Sequence, residues 1–192
     1  MDPTSAANAA NAAATRNAAR SERKDVPPLS KDEAAVIRTL RPAIAAMMRA
    51  FETDLLREQH MSHTEYVALM FLSEAPDHTL GLSALAAHCQ QSLSAISRTV
   101  GRLEADGLVR REQSRGDARA YNAVLTDAGL ARLEQAWPTH VASVRRHLID
   151  HLEGIDLRAL ATAFQRISAS EGKGHHSSDA ADIAVQPRPP NR

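Results

Sequence analysis

The chain has 192 residues, room for one ordinary domain with tails. Hydrophobic residues make up 43% but aromatics only 3%, and a core of Ala, Leu and Val suits packed helices better than a wide sheet sandwich. Formal net charge is zero, so no global field gathers nucleic acid or a charged membrane, and any positive surface has to be local.

Only three of the 23 basic residues are Lys (Lys24, Lys31, Lys173), as the coding bias of a GC-rich genome would give. Arg abundance is therefore a weak signal, and position must carry the argument. The single Cys89 excludes an intramolecular disulfide and fits a reducing cytoplasm. No apolar run approaches the roughly 20 residues of a membrane span, and the N-terminus lacks the apolar stretch of a secretory signal. The expectation is a soluble, cytoplasmic protein with no membrane partner.

Residues 1–29 are Ala- and Asn-rich, carry no apolar stripe that could dock a helix and read as a disordered tail. Ile37, Leu40, Ile44, Met47, Phe51 and Leu55 then recur at three- and four-residue steps, predicting an amphipathic helix over 30–57. Ser30 and Glu33 form a capping box at its start, and Pro42 should kink it. A second helix follows Ser62, with Tyr66, Leu69, Met70 and Leu72 apolar, and stops near Pro76. Thr79–Leu82 is long enough only for a small strand, and Ser83 is read as the cap of a short helix over 84–89. Gln90-Gln91 make a tight turn. Ser92 caps the next helix, which ends at Asp106 with Gly107 in the left-handed conformation.

The period then changes. Residues 108–112 and 120–125 flank the turn-forming Ser114-Arg115-Gly116-Asp117, a β-hairpin with a polar, basic tip. Thr126 caps a long helix with Leu130, Leu133, Trp137, Val141, Val144 and Leu148 on one stripe, bent at Pro138 and broken by Gly154. Asp156 caps a last helix through Leu157, Leu160, Phe164 and Ile167, and residues 171–192 read as a second disordered tail. The fold class is mainly α with a small β-wing.

Two short helices, a tight turn and a hairpin follow the order of a winged helix-turn-helix lobe, here over 63–125. At 100° per residue Leu93, Ile96, Val100 and Leu103 form one inward face of the second helix. The opposite face presents Gln91, Ser94, Ala95, Arg98, Gly101, Arg102 and Ala105, with Ser92 and Ser97 beside it. Small residues let a helix approach a duplex closely, Ser and Gln bond base edges or phosphates, and Arg98 reaches a guanine or a phosphate. A merely solvated face would more often carry Glu/Lys pairs at four-residue spacing. Between Ser83 and Ala120 six Arg stand against four acids, a local net charge of plus two. Arg115 and Arg119 lie on the hairpin tip, where a guanidinium suits a narrow minor groove, and Asp117 is placed to orient Arg119. Taken alone, Asp117 and Arg119 would equally make a surface ion pair.

The run Asp117-Ala118-Arg119, five residues, Leu125-Thr126, two residues, Gly129 resembles the D-x-R-x5-L-T-x-x-G signature of MarR-type regulators. Gly107-Leu108-Val109 after the second short helix and Leu85-Ala86, Ser97-Arg98 and Leu103-Glu104 fit the same pattern. The resemblance covers about residues 32–170. It implies a homodimer joined by helices over 30–57 and 127–170, with two winged lobes on successive major grooves of pseudo-palindromic double-stranded DNA. It also implies that Arg119 enters the minor groove and that the helix from Ser92 reads the major groove.

The same resemblance implies a small phenolic or lipophilic effector between the dimerisation helices and the lobe, against Met48, Phe51, His63, Tyr66, Met70 and Trp137. Those residues at helical spacing equally make ordinary core. His147 with His151 and His60 with His63 can chelate zinc in principle, but nothing supplies third and fourth ligands, so no metal and no cofactor is expected. Cys89 reads as a packing residue rather than a redox sensor. The competing classes are a helical protein-interaction module and a metal- or redox-responsive regulator. No nucleophile–base pair or phosphate loop points to an enzyme.

Overall fold

The computed structural model describes residues 26–114 and 120–171. Its first helix, α1, spans Lys31–Gln59 and runs through Pro42. Ser30 and Glu33 close the expected capping box, with Glu33 N–H donating to Ser30 Oγ (3.2 Å) and Ser30 N–H to Glu33 Oε2 (2.7 Å). Helix α2 spans His63–Glu74 and starts with a second box, between Ser62 and Glu65. It is followed by a 3₁₀ turn at Pro76–His78 and by β1, Thr79–Gly81.

Helix α3, Leu82–His88, starts earlier than the sequence implies: the N-cap is Gly81, and Ser83 lies inside the first turn rather than capping it. Gln90 takes a left-handed φ of 50-odd degrees (52°) to make the turn into α4, Leu93–Ala105, which Ser92 caps through the Ala95 N–H. Gly107, at φ 73°, ends α4: its N–H bonds Glu104 O and the Leu108 N–H reaches back to Leu103 O. That pair of bonds is the Schellman closure, and the positive φ it needs favours Gly.

Strands β2, Val109–Gln113, and β3, Tyr121–Leu125, pair antiparallel from Val109↔Leu125 to Gln113↔Tyr121, and β1 adds to the other edge of β3. The sheet order is therefore β1-β3-β2. Thr126 caps α5, Asp127–His147, a 3₁₀ turn covers Ile149–Leu152, and Asp156 caps α6, Leu157–Glu171. Among the described residues no helix is long and apolar enough to cross a membrane.

The chain divides into two units, Met1–Ala45 and Ala46–Arg192. The described part of the first is the N-terminal half of α1, whose Val36, Ile37, Leu40 and Ile44 are exposed. The second holds the core, where Leu55, Tyr66, Leu69, Leu72, Leu85, Ile96, Val100, Leu103, Val109, Leu125 and Leu133 are buried. Burial of each such side chain contributes about 1.5–3 kcal/mol, so the helix-turn-helix, the sheet and α5 share one foundation.

Two expected faces differ from the observed ones. Leu93 is 52% exposed, because as the first helical residue of α4 it has no preceding turn to lie on. Thr99 takes its place on the buried face. In α5 the buried residues are Gly129, Leu133, Ala136, Thr139 and Ser143, while Trp137, Val141, Val144 and Leu148 are only half-buried. Polar Thr139 and Ser143 are tolerated there because each has a partner: Gln59 Nε2 donates to Thr139 Oγ1 (2.8 Å), and Ser143 Oγ donates to Asp54 Oδ2 (2.7 Å).

Candidate nucleic-acid interface

Helix α4 turns Ile96, Thr99, Val100 and Leu103 into the core and leaves its opposite side open. Gln91, Ser92, Ser94, Arg98 and Arg102 are exposed there, with Ala95 and Ser97 half-buried at its border. Ser92 Oγ is occupied as the cap and lies 3.1 Å from Ser94 Oγ, so these hydroxyls mark the helix N-terminus, where unpaired N–H groups favour an anion. Arg98 has no ion pair or hydrogen bond with any described residue. Its charge is free to meet a phosphate or a base edge.

Arg102 is differently placed. Its Nε lies 2.8 Å from Glu65 Oε1 and its Nη2 3.4 Å from Thr99 Oγ1. Burial pushes the Glu65 carboxyl up, but the Arg102 bond and the Ser62 cap outweigh it and hold the carboxyl below its ordinary value. The guanidinium stays exposed, yet it is already paired with a carboxylate of α2. On the wing, Arg110 pairs with Glu112 at 2.7 Å and Arg111 turns back onto α4. Arg115, Asp117 and Arg119 lie outside the described residues.

A second constellation sits where α1, α2 and α5 meet. Phe51, His63, Tyr66 and Trp137, four of the six residues expected to face an effector, all make ring contacts with His140, at centroid distances of 4.3–6.5 Å. Met48 is 41% exposed, and Met70 packs against the core. Sequence reading missed His140 because a polar residue falls out of an apolar stripe; its three-residue spacing from Trp137 was the available signal. Burial, with His63 beside it, lowers the His140 imidazole to about 4, and burial lowers His63 against the pull of Glu52. Both are neutral near pH 7. Tyr66 Oη and His140 Nδ1 are buried with no hydrogen-bond partner among the described residues.

Burial pushes the Cys89 thiol up to about 11, away from the thiolate that redox chemistry requires. Among the described residues no three His, Cys, Asp or Glu side chains gather as a metal site.

A helix-turn-helix buttressed by a three-stranded sheet, with an outward helix whose Arg98 has no partner among the described residues, defines a winged helix-turn-helix lobe. A family model described as the MarR family matches residues 61–120. The HTH-type transcriptional repressor YetL of Bacillus subtilis is 31% identical over 111 residues; the match covers 56% of this chain and 66% of YetL. Two solved Streptomyces coelicolor MarR family regulators share the fold. Sco3205, solved in complex with DNA, superposes with a TM-score of 0.68 at 31% identity, covering 76% of this chain and 92% of that one. AbsC gives 0.67 at 35% identity, covering 78% of this chain and 100% of that one. The chain belongs to the MarR family of transcriptional regulators.

Proposed function

We propose that the protein is a homodimeric repressor that binds pseudo-palindromic operators in double-stranded DNA through α4 and the wing, and releases them on binding a small aromatic effector. The observation that carries the reading is the outward side of α4, where Arg98 stands free among exposed Gln91, Ser92 and Ser94. The repressor activity of YetL and the DNA complex of Sco3205 support it by kinship. Support for a second copy comes from apolar residues left exposed on α1 and on α6. Ile37, Leu40, Ile44 and Met48 are 40–61% exposed on α1, and Leu157, Phe164 and Ile167 are 48–61% exposed on α6. Exposed apolar stripes of this length are the mark of an interface. Arg115, Asp117 and Arg119 remain in the proposal as the wing contact, with Asp117 orienting Arg119.

Selection of bound duplexes from a random library tests class and dimer together: half-sites about one helical turn apart are expected. A collection of unrelated sequences would remove the operator reading. On the selected duplex Arg98→Ala should cost about 1–3 kcal/mol if Arg98 reads a base. An equal loss on random DNA would instead assign Arg98 to phosphate.

The effector reading is supported by Tyr66 Oη and His140 Nδ1, which are buried in a cluster of rings with no hydrogen-bond partner among the described residues and would gain one from a polar aromatic ligand. Trp137 is the only Trp in the chain, so its fluorescence reports on this cluster. Titration with simple phenolic acids is expected to change that emission and lower affinity for the selected duplex in parallel. An emission change with unaltered DNA affinity would separate the cluster from regulation.

A further inference from the structure

In an α-helix the side chain at position i+4 stands near the carbonyl of residue i and restricts access to it. Residue 101 is Gly, four beyond Ser97, so the Ser97 carbonyl is open on that side. Arg111 of β2 fills the opening. Its Nη2 donates to Ser97 O at 2.5 Å and lies 3.2 Å from where a Cβ on residue 101 would stand. The same guanidinium has its Nε 3.4 Å from Glu104 Oε2, near enough for charge attraction though out of line for a hydrogen bond. The Arg111 main-chain N–H donates to the other carboxylate oxygen, Glu104 Oε1, at 3.1 Å. One residue of the wing is thus tied to α4 by side chain and backbone at once, with the Arg111 side chain 29% exposed and Glu104 42%.

We infer that Gly101, Glu104 and Arg111 form a clamp that sets the angle between α4 and the wing, making Arg111 a positioning residue for DNA rather than a contact. The inference rests on the DNA-binding reading above. A duplex presents its major and minor grooves at a fixed separation, so a helix and a hairpin that are to enter both must hold a fixed angle. A guanidinium suits the task because its donors form a rigid planar fork, whereas an ammonium is a point charge on a flexible stem. The clamp also gives Gly101 a purpose other than close approach to DNA.

The decisive variant is Gly101→Ala. Ala is the better helix former, so the melting temperature should stay level or rise, while the new methyl stands 3.2 Å from Arg111 Nη2, so that the guanidinium has to give by a few tenths of an ångström and its bond to Ser97 O is loosened. Spin labels at Ser94 and Glu112, exposed positions on α4 and β2, in a Cys89→Ala background, report the angle without DNA. Gly101→Ala and Arg111→Ala should each broaden the label distance distribution. Each should weaken binding to a duplex selected by the unaltered protein by about 2- to 30-fold, the usual range for changes acting through a coupled network. The double variant should lose no more than the stronger single one. Additive losses would overturn the inference by showing that Gly101 acts through direct approach to DNA, and unchanged label distances would overturn it by showing no clamp. If the unaltered protein selects no duplex, the DNA-binding reading fails, and the label distances still decide whether the clamp exists.

Discussion

Gly129→Ala is expected to destabilise the protein by about 3 kcal/mol or more, at or beyond the upper end of ordinary overpacking losses. Gly129 is buried in the first turn of α5, and its N–H donates to Thr126 Oγ1 at 3.0 Å. Thr126 in turn faces the end of α4: its hydroxyl lies 2.8 Å from Gly107 O and 3.0 Å from Leu108 O, and its N–H bonds Leu108 O at 3.1 Å. A methyl on residue 129 would fall onto Leu108 O, with Leu125 Cδ1 at 2.7 Å and the Leu108 carbonyl carbon at 3.0 Å. The main obstacle is backbone, which cannot swing away as a flexible side chain does. Relief would require α5 to part from the segment joining α4 to β2, loosening the outward helix together with the wing. In thermal unfolding the loss should read as a fall on the order of 10 °C. A fall under about 3 °C would show that the joint is more plastic than these distances allow.

That joint also explains why the L-T-x-x-G run is so readable a signature. Thr126 and Gly129 are three residues apart and are joined by the cap bond between them, and both pack on the end of α4, so a short spacing captures this side of the joint. The helix caps at Ser30, Ser92, Thr126 and Asp156 are legible for the same reason, since each is closed by a main-chain N–H two or three residues on. Periodicity served the buried side of α4 beyond its first turn, but it misjudged α5. The inward positions there include Thr139 and Ser143, whose partners Gln59 and Asp54 lie 80 and 89 residues away in the chain. No pattern within a helix reveals a partner supplied by another helix. The candidate interface divides in the same way. Exposure of Arg98 follows from helical geometry, whereas the pairing of Arg102 with Glu65 and the return of Arg111 to α4 arise only when distant elements pack.

Asp54 is the strongest case of such a hidden partner, and its removal is the second large effect. The residue is 4% exposed in α1, yet no flanking sequence feature marks it as a buried charge. Ser143 Oγ donates to its Oδ2 at 2.7 Å, with His147 Nε2 at 3.1 Å and Arg146 Nη1 at 3.3 Å from the same oxygen. Arg57 Nη2 serves Oδ1 at 3.0 Å. Chiefly the Ser143 bond, helped by His147 and the two guanidinium groups and opposed by burial, holds the carboxyl below its ordinary value. Four groups from two helices therefore converge on one carboxylate, joining the end of α1 to the end of α5. Asp54→Ala should cost about 2–4 kcal/mol, somewhat less than the loss of a partner in a fully buried pair, because Arg57 and Arg146 are more than half exposed and can turn to water. Asp54→Asn keeps the volume and an oxygen for Ser143, and should cost less than Asp54→Ala. The sign of the pH dependence follows from the lowered carboxyl. The folded chain favours the ionised form, so this stabilisation is complete above the unfolded value near 4 and is lost as pH falls through the folded value. Urea unfolding of the unaltered chain should therefore show a midpoint that declines below about pH 4, with a shallower decline in Asp54→Asn. Parallel declines in the two proteins would transfer the acid sensitivity to other carboxylates and leave Asp54 a packing residue.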